Sequence, residues 1–265
     1  MKETILEKIP TECPWRDTLY WYASLDSTNT KAKALARAGA PHGTVVIAGN
    51  QTAGRGRMGR SFHSPAGSGI YLSVILRPLC PPNQLMHLTC AVAVAMCDAV
   101  EKTAGIRPGI KWINDLVLKD KKLGGILTEL AIDPRTGLTD YAVVGIGINC
   151  CQQSKDFPPE LQEIATSLLS SGFSVSTDTL AAEMITALHR MDATLLTGKK
   201  QLMARYRADC ITLGKDITVH SRNSVRPGKA LDLDENGGLV VAFPDGTKET
   251  VSSGEVSVRG LYNYI

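Results

Sequence analysis

Apolar residues recur along this chain with two different periods, and the places where the period changes mark its elements. Leu85, Leu88, Val92, Met96 and Val100 fall at three- and four-residue steps, which sets them on one buried face of a helix over Leu85–Thr103 that ends at Gly105. Leu180, Met184, Leu188, Met191 and Leu195 predict a second long helix, capped by Asp178 and running to Leu196, with a further helix over 199–209 after Gly198. Lys31 to Ala38 are helix formers, preceded by the capping types Asp26-Ser27-Thr28-Asn29 and stopped at Gly39 and Pro41. Runs rich in β-branched residues predict strands at Tyr20–Leu25, Thr44–Ala48, Ile70–Leu76, Gly109–Ile113, Gly125–Ile132 and Tyr141–Ile148. Asp133-Pro134-Arg135-Thr136-Gly137 supply the turn between the last two.

The pattern shortens after Cys210. Ile217–His220, Lys229–Leu233, Gly238–Phe243, Lys248–Val251 and Val256–Arg259 alternate, with Asn236-Gly237-Gly238 and Pro244-Asp245-Gly246 as tight turns. Strands this short and this closely spaced predict a small SH3-like β-barrel. The expected division is 1–209 for a larger domain and 210–265 for the barrel, with the boundary near 208–214. The first sixteen residues are polar and short, too few for a helix-turn-helix domain.

Composition narrows the classes. The chain has 265 residues, 43% hydrophobic and 21% charged, enough for one large domain and a small one. A net charge of +3 is too mild to argue for nucleic acid, so the basic residues matter where they cluster. The seven cysteines are odd in number and lack a C-x-x-C pair, and the neighbours Cys150 and Cys151 read as two reduced thiols. With no secretory signal at the N-terminus, a reducing cytoplasm is the expected compartment. The longest apolar run, Leu85–Val100, is interrupted by His87, Thr89 and Asp98, so no membrane span is expected. The five histidines have no metal-ligand spacing.

The chemistry concentrates in three places. Gly54-Arg55-Gly56-Arg57-Met58-Gly59-Arg60 combines free backbone with arginine forks that fit a carboxylate or phosphate. Its glycines spell G-x-G-x-x-G, but a strand follows instead of a helix, which removes the dinucleotide reading. A basic loop in solvent remains open on the residues alone. Lys111-Trp112-Ile113-Asn114-Asp115 is followed by Lys122 before Gly124-Gly125, a lysine able to grip an anion beside a carboxylate able to hold Mg²⁺ or take a proton. A charged, solvated turn remains open there. Gly145-Ile146-Gly147-Ile148-Asn149 places glycines inside a strand, which suits either a close-approaching ligand or tight packing, with Asn149 offering a donor and an acceptor to a base edge.

These motifs together resemble the biotin–protein ligases. The resemblance rests on Ser27-Thr28-Asn29, Gln51-Thr52-Ala53-Gly54-Arg55-Gly56-Arg57, Lys111-Trp112-x-Asn114-Asp115, Lys122-Leu123-Gly124-Gly125-Ile126-Leu127 and Gly145-x-Gly147-x-Asn149, and covers about residues 20–260. It implies an α+β fold: a class II synthetase-like mixed β-sheet with helices packed on one side, plus the C-terminal SH3-like β-barrel. It implies two steps, in which biotin and MgATP give biotinyl-5′-AMP and pyrophosphate and a lysine of a biotin carboxyl carrier domain then displaces AMP.

Site residues follow from the same resemblance. Ser27, Thr28, Asn29 and Gln51 would line the biotin pocket, with Arg55, Gly56, Arg57, Lys122 and Gly125 on the biotin side of the chemistry. Arg57, Arg60, Phe62, Lys111, Asn114, Asp115 and Asn149 would serve ATP and the adenylate. Lys122, Arg57 and Asp115 would be catalytic, with Asp115 also the Mg²⁺ ligand. The arginine loop would order on binding, as a lid.

Ile113 stands where family members commonly have proline, and Phe62 falls where they often carry tryptophan. The larger members bind DNA through an added N-terminal domain, so this chain is expected to bind no DNA. The resemblance allows a monomer or a homodimer through a sheet edge. The same scaffold serves lipoate–protein ligases and octanoyltransferases, from which the Ser-Thr-Asn run, the arginine loop and KLGGIL separate it. A non-catalytic biotin sensor would have no need of Asp115 and Lys122.

Overall fold

The computed structural model describes residues 1–221, 224–252 and 257–260. Its larger part is a seven-stranded sheet built from β1 (Leu19–Tyr22), β2 (Thr44–Ala48), β3 (Gly69–Leu76), β4 (Gly109–Lys111), β5 (Asp115–Leu118), β6 (Lys121–Ile132) and β7 (Thr139–Asn149). The order is β1-β2-β3-β7-β6-β5-β4. β1 and β2 are parallel and every other neighbouring pair is antiparallel, so the sheet is mixed.

Both faces of this sheet are covered, and strand alternation separates them. In β3 and β7, Ile70, Leu72, Val74 and Leu76 and Ala142, Val144, Ile146 and Ile148 point into the main core. There they meet α3 (Leu88–Ala104), α4 (Thr177–Thr194) and residues of α5 (Lys199–Asp209). Ile75, Tyr141 and Val143 point the other way, toward Ala32 and Ala36 of α2 (Thr28–Arg37). The expected helical layer therefore lies on one side, and α2 sits on the opposite face. That second face carries the site.

Several expected elements shift. Gly109–Ile113 was expected as one strand, but the chain turns at residues 112–114 and returns as β5, and β6 starts at Lys121. Lys119 and Asp120 make the β5–β6 turn with φ of 48° and 61°, the left-handed pair that a tight hairpin requires. The cap of α4 is Ser176, whose hydroxyl accepts from the Thr179 N–H, not Asp178. The N-terminal residues are less solvated than their composition suggests. Ile5, Ile9, Cys13 and Trp15 are buried, and α1 (Lys2–Leu6) packs against α4. The stretch Pro82–Ala104 is long and apolar enough to cross a membrane by length and composition, contrary to the sequence expectation; 72% of its most apolar window is buried in this core.

The C-terminal module is an antiparallel sheet in the order β11-β10-β9-β8-β12. Its strands are β8 (Asp216–His220), β9 (Val225–Leu233), β10 (Leu239–Ala242), β11 (Lys248–Val251) and β12 (Ser257–Gly260). Val256, expected to open the last strand, lies outside the described residues. The turn after β9 seats this SH3-like module on the larger part. The Trp112 indole N–H donates to the Gly237 carbonyl at 2.8 Å and Lys199 Nζ donates to Asn236 Oδ1 at 2.7 Å.

Candidate functional site

One cleft on the α2 face gathers most of the predicted residues. Its floor is made where the N-terminus of α2 crosses β3 and β7. Ser27 is the N-cap residue, yet its side chain makes no capping bond. The Thr28 N–H instead donates to Gln51 Oε1 at 2.8 Å, and the Thr28 hydroxyl lies 3.1 Å from the same oxygen. Gln51 Nε2 donates to Ser64 Oγ at 2.8 Å. The Ser73 hydroxyl lies 2.8 Å from Thr28 Oγ1 and 2.6 Å from Asn29 Oδ1. The capping cluster thus works as part of a buried relay of hydroxyls and amides, with Ser27 left to face the cleft. Such a relay fixes each donor and acceptor before any ligand arrives.

The glycines of β7 are explained by the same floor. A Cβ on Gly145 would overlap the Asn29 side chain, and one on Gly147 would overlap the Phe62 ring. Tight packing and a nearby ligand, the two readings left open by sequence, meet here, since Asn29, Phe62, Gly145 and Gly147 all line the cleft.

The arginine loop folds back on itself over one wall. Arg55 and Ser61 form an antiparallel bridge, and the Gly56 N–H donates to the Arg60 carbonyl at 2.7 Å. Arg57 Nη1 donates to Asn114 Oδ1 at 2.9 Å. Burial pulls the Arg57 guanidinium below its usual pKa, opposed by the Asp115 charge and assisted by Arg60. Arg55 turns away from Arg57, toward Glu129. Arg60 and Phe62 line the same side.

Next to Asn114 stands the hairpin pair. Asp115 and Lys122 face each other across β5 and β6, with Lys122 Nζ 2.7 Å from Asp115 Oδ1. Asn114 Nδ2 donates to that same oxygen at 3.1 Å. A register shift between Leu116 and Val117 makes a bulge in the hairpin, which re-aims the strand next to Lys122. The Lys122 backbone is further held by Ile164 and Thr166, at 2.8 Å each. Gly125, the register partner of Asp115, completes this corner.

Two predicted residues stand elsewhere. Asn149 is buried behind the wall, where its Nδ2 donates to the Thr166 carbonyl at 2.9 Å and its Oδ1 accepts from Gln152 at 3.3 Å. Asn149, expected near adenine, thus lies outside the cleft lining, and both ends of its amide hold the 149–166 connection. Lys111 lies in β4 across from Asp115 but outside the cleft lining. The sequence reading also missed two contributors. Ser73 is the one polar residue in the run Ile70–Leu76 apart from the Tyr71 hydroxyl, a signal that was available. Glu129 had none, being an acidic residue on an alternating strand.

The arrangement can bind a neutral polar head at the Thr28–Gln51 end and an anion between Arg57 and Lys122. Among the described residues no group of three or more His, Cys, Asp or Glu side chains is placed to hold a metal ion. All seven cysteines are free, and burial pushes the Cys150 thiol up to about 12.

Residues 21–149 match the biotin/lipoate A/B protein ligase family, and residues 212–259 match the biotin protein ligase C-terminal domain. The bifunctional ligase/repressor BirA of Bacillus subtilis is 36% identical over 237 residues, 89% of this chain and 72% of that one. The biotin–[acetyl-CoA-carboxylase] ligase of Mycobacterium tuberculosis is 34% identical over 249 residues, 91% of this chain and 89% of its own. Among solved structures, the biotin protein ligase from Aquifex aeolicus in complex with biotin and ATP superposes with a TM-score of 0.77 at 27% identity, covering 92% of this chain and 99% of that one.

Proposed function

The chain belongs to the biotin protein ligase family, and on that premise we propose how its cleft performs the reaction. The enzyme activates biotin with ATP and transfers it to a lysine of a biotin carboxyl carrier domain of acetyl-CoA carboxylase. The hydroxyl–amide floor of Thr28, Asn29 and Gln51, with Ser27 at its rim, takes the ureido ring, whose N–H and carbonyl groups match its acceptors and donors. A dithiolane ring offers no such partners, which supports biotin over lipoate. The valeryl chain then runs toward Gly125 and places its carboxylate between Arg55-Gly56-Arg57 and Lys122.

A carboxylate oxygen attacks the α-phosphorus of ATP. The new P–O bond forms as the bond to pyrophosphate breaks, and pyrophosphate departs. Lys122 and Arg57 hold the charge that builds on the phosphoryl oxygens. Arg60, Phe62, Asn114 and, from the neighbouring strand, Lys111 support the adenylate. In the second step the acceptor amine attacks the acyl carbon, the acyl–oxygen bond breaks and AMP leaves. Asp115 takes the proton released by the amine. Closing the arginine loop keeps water from the mixed anhydride.

Magnesium fits as a companion of the nucleotide. Mg²⁺ is commonly held by one or two carboxylates together with substrate phosphates, and Asp115 is the sole carboxylate in the lining. It would supply charge neutralisation on the departing pyrophosphate. The proposal also includes a cytoplasmic enzyme, either a monomer or a homodimer through a sheet edge, which sedimentation distinguishes.

The observation that carries the residue assignment is the Lys122–Asp115 pair at 2.7 Å joined through Asn114 to Arg57 at one end of the cleft. The test is incorporation of labelled biotin into a carrier domain, with Lys122→Ala and Arg57→Ala alongside. Wild-type rates in both variants would refute the assignment. Tighter calorimetric binding of lipoate than of biotin would refute the substrate.

A further inference from the structure

Glu129 lies where the cleft floor, α2 and the arginine loop meet. Asn29 and Lys33 are four residues apart on α2 and so share a face. Asn29 Nδ2 donates to Glu129 Oε2 at 2.9 Å, and Lys33 Nζ lies 2.7 Å from Glu129 Oε1. From the loop, Arg55 Nη1 lies 3.2 Å from each carboxylate oxygen. Burial raises the affinity of this carboxyl for a proton, but the bonds from Lys33 and Asn29 and the charges of Lys33 and Arg55 outweigh it. The group is an anion held in place by the floor and offered to the loop.

The loop needs such a partner. Arg55, Arg57 and Arg60 lie within six residues and repel one another. Arg57 is tied to Asn114, beside Asp115. Glu129 ties Arg55, so the loop is pinned at two of its arginines, each to a different partner. A carboxylate beside a cleft that receives carboxylate and phosphate would repel its ligand; here two cations neutralise it.

We propose that Glu129 is a positioning residue. By holding Arg55 it keeps the arginine loop in the conformation that receives biotin, and so sets the apparent affinity for biotin. The inference rests on the ligase reading above. If the binding-competent loop becomes a smaller fraction of the population, the apparent dissociation constant rises by that fraction. The effect therefore falls on KM for biotin rather than on kcat.

The test uses the full-length chain as wild type, Glu129→Gln, Arg55→Gln and the double variant. Trypsin cleavage after Arg57 and Arg60 reports loop position without any ligand, and steady-state biotinylation of a carrier domain gives KM and kcat for biotin. Loss of a partly buried, charge-assisted contact predicts that Glu129→Gln speeds loop cleavage and raises KM by about tenfold each. In the Arg55→Gln background, Glu129→Gln should add nothing. Wild-type cleavage in Glu129→Gln, or an undiminished effect in the Arg55→Gln background, overturns the proposal. Should Glu129→Gln fail to fold, Arg55→Gln alone must show the same acceleration after Arg57 and Arg60, and a wild-type rate there overturns it. A wild-type chain that does not biotinylate refutes the ligase reading, while the proteolysis still decides whether Glu129 holds the loop.

Discussion

The two ends of the cleft are built on opposite principles. At one end Thr28, Asn29, Gln51, Ser64 and Ser73 form a chain of neutral hydrogen bonds, and all but Gln51 are buried. At the other end Lys122, Asp115, Arg57 and Asn114 form a charged set whose members are only partly covered. The neutral end, anchored to Glu129 through Asn29, can recognise a shape without rearranging. The charged end holds ions against one another, and an incoming phosphate has to exchange partners with them. Recognition is thus preorganised, while the chemistry begins from a pair that substrate must part.

The contrast predicts effects of different size and kind. Lys122→Ala should strike the rate, lowering biotin-dependent ATP–pyrophosphate exchange by about 10²–10³-fold while calorimetric biotin affinity changes far less. A comparable loss of affinity would show that the two ends do not divide the work. Gly145→Ala should strike the floor itself, because the new methyl overlaps Asn29; overpacking of this kind costs about 1–3 kcal/mol, read by thermal unfolding together with biotin titration. Thr28→Val keeps the shape and removes a hydroxyl that serves Gln51 and Ser73, so biotin should bind about tenfold more weakly with kcat preserved.

The smallest effect expected is in pH. Glu129 has a lowered pKa in the folded protein, so its contribution is complete above the ordinary glutamate pKa and fades as pH falls through the lowered value. Wild type should melt about 2 °C above Glu129→Gln at neutral pH, and the gap should close only as pH falls below the ordinary glutamate range. A gap that persists in strong acid would mean the carboxylate charge is not what matters.

Much of this was legible in sequence where pattern and chemistry coincide. The strand Thr44–Ala48 was legible by composition, and its observed bounds match. The stripe over Leu85–Thr103 found α3, although the helix starts at Leu88 because Pro82–Leu85 makes a separate short turn. Lys122 and Asp115 were found as motif residues. Their contact was not, because β5 is four residues long and lies between a turn at Asn114 and the Lys119–Asp120 hairpin, which together read as one charged loop. Glu129 escaped because alternation along β6 gives a face and not a partner, and its partners come from α2 and the loop, distant in sequence. The place of Asn149 was not legible, because a strand-end amide can as easily close a loop as meet a base.

The two-sided sheet has a consequence for how this enzyme can change. In β3 and β7 the even-numbered residues from Ile70 to Leu76 and from Ala142 to Ile148 belong to the main core, while Ser73, Gly145 and Gly147 belong to the cleft or its floor. Residue parity therefore separates two kinds of variation on the same strands. Aliphatic exchanges at even positions other than Ile146, which also reaches the cleft, can tune thermal tolerance under a constant pocket, and exchanges at Ser73, Gly145 or Gly147 can reshape the pocket over a constant core. An engineer seeking a biotin analogue, or a lineage drifting toward one, has only to step by one residue to move from one problem to the other.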